Sequence, residues 1–241
     1  DFAAPAAVLD MASYSGAAAA KAIADDGNMV EFYKDYATHM FTALATVAGN
    51  VTGIVATAGP ESGMCGGCAA KAARFVRFCD AFSIPVVTIV NTDGFVKSTA
   101  NDVHGGLRAA SRLAATYADA TTAKVAVVTG KAVGAAYTAL CSADLTIALD
   151  GAVIAPVEPK TAVTVLQHEK LAATKDLTRD IAALSEEYVT CCASADAAVR
   201  AGVADLTATA ETLRGTVVSA LDILSTKRVQ RLPKKHGNLS L

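Results

Sequence analysis

Polar and apolar positions along this chain fall into blocks of two kinds. VTGIVAT (from Val51), IPVVTIVN (from Ile84) and KVAVVTG (from Lys124) are short, β-branched and almost uninterrupted by polar residues. Continuous apolar runs of that length predict parallel strands buried on both faces. DLTIALD and AVIAP read as two further short strands. The second kind of block has helical spacing. KAARFVRFCDAF (from Lys71) puts Ala72, Phe75, Val76, Cys79 and Phe82 on one stripe. A turn rich in Gly, Ser and Thr, DGFVKSTANDVHGG, leads into a helix from about Leu107 to Ala120, and KAVGAAYTALCS reads as a glycine-led helix start. This strand–helix–strand rhythm predicts an α/β fold of parallel strands joined by right-handed crossovers.

Beyond the last strand the pattern turns helical: a charged helix from Lys170 to about Glu187, a short one in ASADAAVRAG and a longer one in AETLRGTVVSALDILSTKR. The basic, proline-broken end RVQRLPKKHGNLSL, about 228–241, reads as an exposed extension. With no repeat and no low-complexity linker, residues 1–241 read as one domain.

Composition narrows the function classes. Apolar residues make up 53% of the 241 positions, enough for a sizeable core and against disorder. Alanine dominates that fraction, aromatics are 5% and tryptophan is absent, so helices and strands can approach closely. A net charge of −2 without a broad basic field argues against nucleic acid as a partner. No apolar run reaches the roughly 18 residues of a membrane span. DFAAPAAVLD lacks the features of a signal peptide and an initiator methionine, which suggests a processed chain or part of something longer.

The six cysteines are unevenly spread, with Cys191 and Cys192 adjacent, which fits a reduced cytoplasmic setting better than a secreted disulfide framework. Cys65 and Cys68 form a C-x-x-C in SGMCGGC. No second pair follows to complete a zinc site, so no metal is expected. A thioredoxin-like pair would sit between a strand and its helix; ordinary small residues are the base-rate reading.

Conventional catalysts are scarce. His39, His104, His168 and His236 share no metal-ligand spacing, and there is no nucleophile elbow, H-E-x-x-H or P-loop. TGKAVGAAYTAL stands out because Gly134 and Ala135 fall where a strand turns into a helix. Backbone N–H groups there lack intrahelical partners, and small side chains let a substrate oxygen approach, as an oxyanion hole requires. The plainer reading is close packing of a helix onto a strand. NTDGF, Asn91 to Phe95, ends another buried strand, where parallel sheets gather ligands; its plainer reading is a turn in which Gly94 supplies a positive φ.

In this order the segments resemble the C-terminal half of the carboxyltransferase β subunits of acyl-CoA carboxylases and decarboxylases. KAARFVRFCDAFSIPVVTIVNTDGF is similar to the helix and strand leading to that family's D-x-P-G-F turn. YADATTAKVAVVTGKAVGAAY is similar to its Y-A-E-A-T-x-P-K-V stretch and K-A-Y-G-G-A-Y signature, and the closing segment to its R-P-x-K-H-G-N-x-P-L terminus. The agreement runs from about Asp25 to Leu241.

The resemblance implies a crotonase-like (ClpP/crotonase) spiral fold, of which a complete β subunit holds two copies, this chain matching the second. It implies carboxyl transfer between carboxybiotin, carried on a biotin carboxyl carrier protein, and a short acyl-CoA. In the family the signature glycines present N–H groups to the biotin ureido oxygen, and they fall on Gly134 and Ala135. By the same resemblance Gly94, Phe95, Val133, Ala136 and Tyr137 line the biotin side, and Thr138 lies where members vary with acyl substrate. The chemistry needs no protein base, since the biotin nitrogen takes the α-proton and a second oxyanion hole in the other half holds the enolate. The implied partners are the carrier protein, the N-terminal half or its equivalent subunit, and further copies in a homo-oligomer; the small-residue, alanine-rich faces of the helices around Leu107–Ala120 and Gly134–Leu140 are where those copies are expected to meet.

The departures are Asp93 for the usual proline, Val133 for the signature tyrosine, VEPKTAV for M-G-x-E-G-A-V, and the cysteine pair in a stretch that is usually acidic. They suggest a divergent branch, such as a sodium-pump decarboxylase. Two rival readings are a stand-alone crotonase-like hydratase or decarboxylase, with Glu158 as its acid–base group, and a non-catalytic assembly subunit. For the fold, the rival is a Rossmann-type sheet with a dinucleotide at Gly130–Gly134.

Overall fold

The computed structural model describes residues 7–60 and 62–229, so residues 230–241 of the expected basic tail lie outside the described residues. The three long apolar runs form the centre of one sheet: β3 (Asn50–Thr57), β4 (Val86–Thr92) and β5 (Lys124–Val133). All three pair in parallel, Gly53 to Ala56 against Val86 to Ile89 and Val86 to Val90 against Lys124 to Val128. The two faces of each strand enter different cores. Val86, Val90, Ala126 and Val128 join one hydrophobic cluster, while Val87, Ile89, Val125 and Val127 join the other. That is why these strands carry no polar alternation.

The sheet is completed by β1 (Met29–Glu31), β2 (Met40–Val47), β6 (Leu145–Leu149), β7 (Val153–Ala155) and β8 (Leu206–Ala208). Its order is β1-β2-β3-β4-β5-β6-β8, with β7 paired to β5 off that path. β2 was not expected from its alanine-rich sequence. It folds back on β3 as an antiparallel hairpin through Ala48 and Gly49, both with positive φ as a tight two-residue turn requires.

Helices cover both faces. On one lie α2 (Gly66–Ala81), α4 (Gly106–Asp119) and α5 (Ala135–Leu140), the crossovers between successive parallel strands. On the other lie α1 (Gly16–Lys21) and, closing from the far end of the chain, α10 (Leu213–Leu224). Arg214 of α10 donates to the Ile23 carbonyl and pairs with Asp25, fastening that helix to the start of the chain. Short helices fill the remainder: α3 (Thr99–Val103) inside the expected turn, then α6 (Pro159–Leu166), α7 (His168–Ala172), α8 (Leu177–Tyr188) and α9 (Ala195–Arg200).

The order β3-β4-β5-β6 runs in one direction, with the crossover helices on one face. A Rossmann-type sheet instead reverses its strand order at a switch point where the dinucleotide binds. The single winding is that of a spiral, and the dinucleotide reading falls with it. Other expectations also need correction. Phe82 ends the α2 stripe 67% exposed, because it lies past the helix C-terminus, whereas Ala72, Phe75, Val76 and Cys79 are buried as expected. The charged helix from Lys170 is two helices broken after Ala172. Lys131, Ala132 and Val133 are strand, not helix start, because they find a partner in β7.

That last difference has a local cause. Pairing of β4 with β5 steps from Val90↔Val128 to Thr92↔Ala132, so Asn91 alone faces Thr129, Gly130 and Lys131. Asn91 is buried, and its side-chain oxygen accepts the Lys131 N–H at 3.0 Å. Its own N–H donates to Thr57 Oγ1 at 2.7 Å, and the Thr57 hydroxyl donates back to the Asn91 carbonyl at 2.9 Å. Gly130 makes room, since a Cβ there would lie 2.3 Å from Asn91 Oδ1. The bulge turns β5, which pairs with β6 through Val125–Val128 and with β7 through Lys131–Val133.

Gly130→Ala is expected to cost about 1–3 kcal/mol by overpacking this bulge. In urea denaturation the double variant with Asn91→Ala should lose less than the sum of the two single variants, since removing the amide removes the clash.

Candidate functional site

The redirected end of β5 and the end of β4 open onto a cavity of about 710 Å³ at the C-terminal edge of the strands. From β4 come Asp93, Gly94 and Phe95, and from β5 come Lys131 and Val133. The opposite wall is distant in sequence. It comprises Glu158 and Pro159 at the start of α6, Ala182, Ser185 and Glu186 of α8, and Val189 and Thr190 of the π-helical turn Val189–Ala193. A larger cavity, about 900 Å³, lies at the other end of the strands beside Asn50, Pro85, Ala123 and α10. Ligands of parallel sheets collect at the C-terminal ends, so the smaller cavity is the candidate.

Backbone geometry sets the floor. Gly94 has φ +118°, its N–H donates to Thr92 Oγ1 at 3.2 Å, and its carbonyl accepts the Met64 N–H at 2.9 Å. The Met64 carbonyl in turn accepts the Val96 N–H, so Met64 and Phe95 form a one-residue parallel bridge. Gly134 has φ +61° and ψ −133°, a conformation open to glycine, and a Cβ there would meet the Pro156 carbonyl at 3.2 Å. Its N–H donates to the Ala155 carbonyl at 2.9 Å, extending the β5–β7 pairing. Ala135 then opens α5 with an exposed residue and an N–H that has no acceptor among the described residues. Of the two amides singled out in sequence, one is therefore committed to the sheet and one is open.

The expected residues separate further. Gly94, Phe95 and Val133 share the cavity wall, and Gly134 and Ala135 follow directly on Val133. Ala136 is fully buried against the core. The Tyr137 hydroxyl donates to the Val203 carbonyl at 2.6 Å, and burial pushes its pKa up to about 12, so it serves as a neutral strut towards α9. Thr138 is exposed and outside the cavity wall.

Charge at the rim comes from Lys97, Lys131, Lys160, Asp93, Glu158 and Glu186, with Lys131 and Asp93 paired at 3.0 Å while half exposed. Sequence reasoning missed Lys131, read as part of a helix, and the α8 and π-turn wall, for which no local motif exists. Among the described residues, no three histidine, cysteine or acidic side chains converge to hold a metal ion.

A singly wound spiral of parallel strands with its cavity at their C-terminal ends is the architecture of the crotonase-like fold. The carboxyl transferase domain family matches residues 10–239, and the chain belongs to that family. It is 34% identical over 228 residues to the methylmalonyl-CoA decarboxylase α subunit of Propionigenium modestum, covering 91% of this chain and 44% of that protein. It is 36% identical over 226 residues to the methylmalonyl-CoA carboxyltransferase 12S subunit of Propionibacterium freudenreichii subsp. shermanii, covering 90% and 42%. Among solved structures it superposes on a hexameric transcarboxylase 12S, bound to methylmalonyl-CoA and methylmalonic acid, with TM-score 0.92 and 31% identity over 100% of this chain and 49% of that one. The crotonase-like carboxyltransferase fold expected from the sequence is therefore the fold of this chain. The chain spans less than half the length of these relatives.

Gly134→Ala should destabilise the fold by roughly 1–2 kcal/mol through the left-handed backbone alone. Ala135→Pro should be nearly neutral in the same denaturation assay, because proline suits the first position of a helix and that N–H holds nothing in place.

Proposed function

We propose that this chain is the biotin-side domain of a carboxyltransferase that exchanges a carboxyl group with a short acyl-CoA. The observation that carries the reading is the N–H of Ala135, which has no acceptor among the described residues and follows two residues after the cavity-lining Val133, in a chain of the carboxyl transferase family. Three features support a ureido ring here: a backbone donor without an acceptor among the described residues, the small neighbours Gly134 and Ala136, and a cavity of about 710 Å³ lined by the nearby Val133. When bound, carboxybiotin supplies the carboxyl group and a ring nitrogen able to take up the acyl-CoA α-proton.

The chain's own residues then have limited tasks. Ala135 donates its N–H to the ureido oxygen, where negative charge grows as the carboxyl group leaves. Gly134 holds the turn that aims this donor, and its own N–H stays in the sheet. Phe95 and Val133 present apolar surface that excludes water and strengthens the hydrogen bond. Lys131, held by Asp93, places a cation at the rim, suited to the carboxylate of a carboxylated acyl-CoA. The acyl-CoA thioester would be held by the N-terminal half that the relatives contain.

The Ala135→Pro variant tests this directly. Carboxyl exchange from carboxybiotin, measured in the complete complex, should fall on the order of 100-fold, the usual loss for one oxyanion donor. A stable variant with full activity overturns the assignment. A second reading has one observation in its favour: Glu158, the acid–base group of a stand-alone hydratase, lies on the same cavity. Glu158→Gln separates the two. Carboxyl transfer should change only a few-fold, whereas acid–base chemistry through that carboxylate should lose about 100-fold or more.

Assembly belongs to the same proposal. Val103 and Leu107, where α3 leads into α4, are 77% and 79% exposed, apolar surface of the kind that oligomers cover. We infer that the domain works as an oligomer together with an acyl-CoA-binding half and a biotin carrier protein. Sedimentation at micromolar concentration should show an oligomer, and Leu107→Glu should shift it towards monomer.

A further inference from the structure

The cysteine pair is not used by the proposed chemistry, yet its setting differs from that of ordinary small residues. β3 ends at Thr57, a loop follows, and Cys65 is the N-cap of α2, with Cys68 in the first turn of that 16-residue helix. The two sulfurs are 3.3 Å apart, in hydrogen-bonding contact, and within reach of a bond of about 2.05 Å by small side-chain rotations. The other four cysteines are also free thiols, but only this pair combines an accessible sulfur with a buried one in contact. Cys65 is partly exposed and Cys68 is fully buried.

The electrostatics divide the roles. Partial burial works against a Cys65 thiolate, but the N–H groups of Cys68 and Gly67 and the Cys68 thiol point at its sulfur and hold its pKa below the ordinary thiol value. Burial pushes Cys68 up to about 12, opposed by the ammonium of Lys71, one turn further along α2 and itself buried. A partly exposed thiol whose pKa is held down, followed three residues later by a buried one whose pKa is raised, is the division seen in attacking and resolving thiols.

We propose that Cys65 and Cys68 form a dithiol–disulfide site that exchanges with low-molecular-weight disulfides such as oxidised glutathione. The Cys65 thiolate attacks one sulfur of the disulfide RS–SR, forming a Cys65–SR bond and releasing RS⁻. Cys68 then gives up its proton to solvent, attacks the Cys65 sulfur and displaces the second RS⁻. Two protein thiols and one RS–SR become one protein disulfide and two RSH, so the cysteines are oxidised and the glutathione disulfide is reduced. The site adjoins the cavity through the backbone. Met64, the residue before Cys65, is bridged to Phe95, and Asn101 joins the Gly66 N–H to the Val96 carbonyl. Closing the disulfide stiffens the turn that carries this bridge.

The test uses the whole chain in mixtures of oxidised and reduced glutathione, quenched with acid and alkylated. Trypsin releases residues 35–71 as one peptide containing Cys65 and Cys68 and no other cysteine. In excess oxidised glutathione this peptide should become lighter by two hydrogen atoms, and a thiol reductant should restore it. Cys68→Ala should trap glutathione on Cys65, and Cys65→Ser should leave Cys68 unmodified. The alkylation of Cys65 should follow a pH midpoint below the ordinary thiol value of about 8.5. Amide exchange at Met64 and Val96 should slow on oxidation. A peptide that stays reduced while Cys191 and Cys192 react, or equal modification of Cys68 in the Cys65→Ser chain, overturns the site. Unchanged exchange at Met64 and Val96 overturns its link to the cavity. None of these measurements requires biotin or acyl-CoA, so failure here is distinguishable from failure of the carboxyl-transfer reading.

Discussion

The hydrogen bond from Lys131 N–H to the buried Asn91 side chain governs the geometry of everything at the top of the sheet. A regular β5 would continue along β6 and present its end in the plane of the sheet. With Asn91 holding three residues of β5 opposite one of β4, the strand changes direction and meets β7. Lys131 and Val133, in the redirected end of β5, line the cavity. The arrangement is tightly specified: the amide needs the space beside Gly130, and its backbone is fixed by the two-way exchange with Thr57. Buried polar networks of this kind are stable only when each member finds a partner.

One consequence is that the site is made from main chain. A strand leaving its sheet at a bulge must end in a sharp turn, and Gly134 makes it with a positive-φ backbone conformation that other residues rarely adopt. The turn uses the Gly134 N–H to finish pairing with β7 and leaves the next one, at Ala135, without an acceptor among the described residues. α5 is only six residues long, so orientation and the absence of a competitor count for more than any helix dipole. The proposed oxyanion donor belongs to the backbone and leaves no side-chain signature. Under the proposed function, the scarcity of conventional side-chain catalysts in the sequence follows from this use of the main chain.

Legibility followed the range of the interactions involved. β3, β4 and β5 were readable because burial on both faces writes itself into a run of β-branched residues. The first turn of α5 was readable because glycine followed by small residues is local. β2 was not, since MFTALATV is neutral in propensity and becomes a strand only by pairing with β3. Lys131 to Val133 were assigned to a helix because nothing nearby reveals that their partner lies some twenty residues on, in β7. The α8 and π-turn wall was invisible for the same reason, being brought to the cavity by packing alone. Phe82 misled because helical spacing extends a stripe past the point where the helix stops. The cysteine pair was legible as a motif, but its division into exposed and buried thiols emerged only from the fold.

The departures from the family pattern can now be weighed by position. Asp93, standing where the relatives' turn usually has proline, is paired with Lys131 across the mouth of the cavity. An ion pair this exposed contributes at most about 1 kcal/mol, so it replaces the rigidity of proline with a weaker, salt-sensitive tether. Val133 substitutes apolar surface for a tyrosine in the wall, and Glu158 adds charge to the opposite side. All three residues line the cavity, where under the proposed function acyl groups and their carboxylates would be sorted. None removes a hydrogen bond of the Asn91 bulge or gives the Ala135 N–H a competing acceptor. Divergence of this pattern is what the proposed backbone-built site permits: side chains can be exchanged around the cavity while the turn that carries the proposed donor, just past Val133, is held by the topology of the sheet.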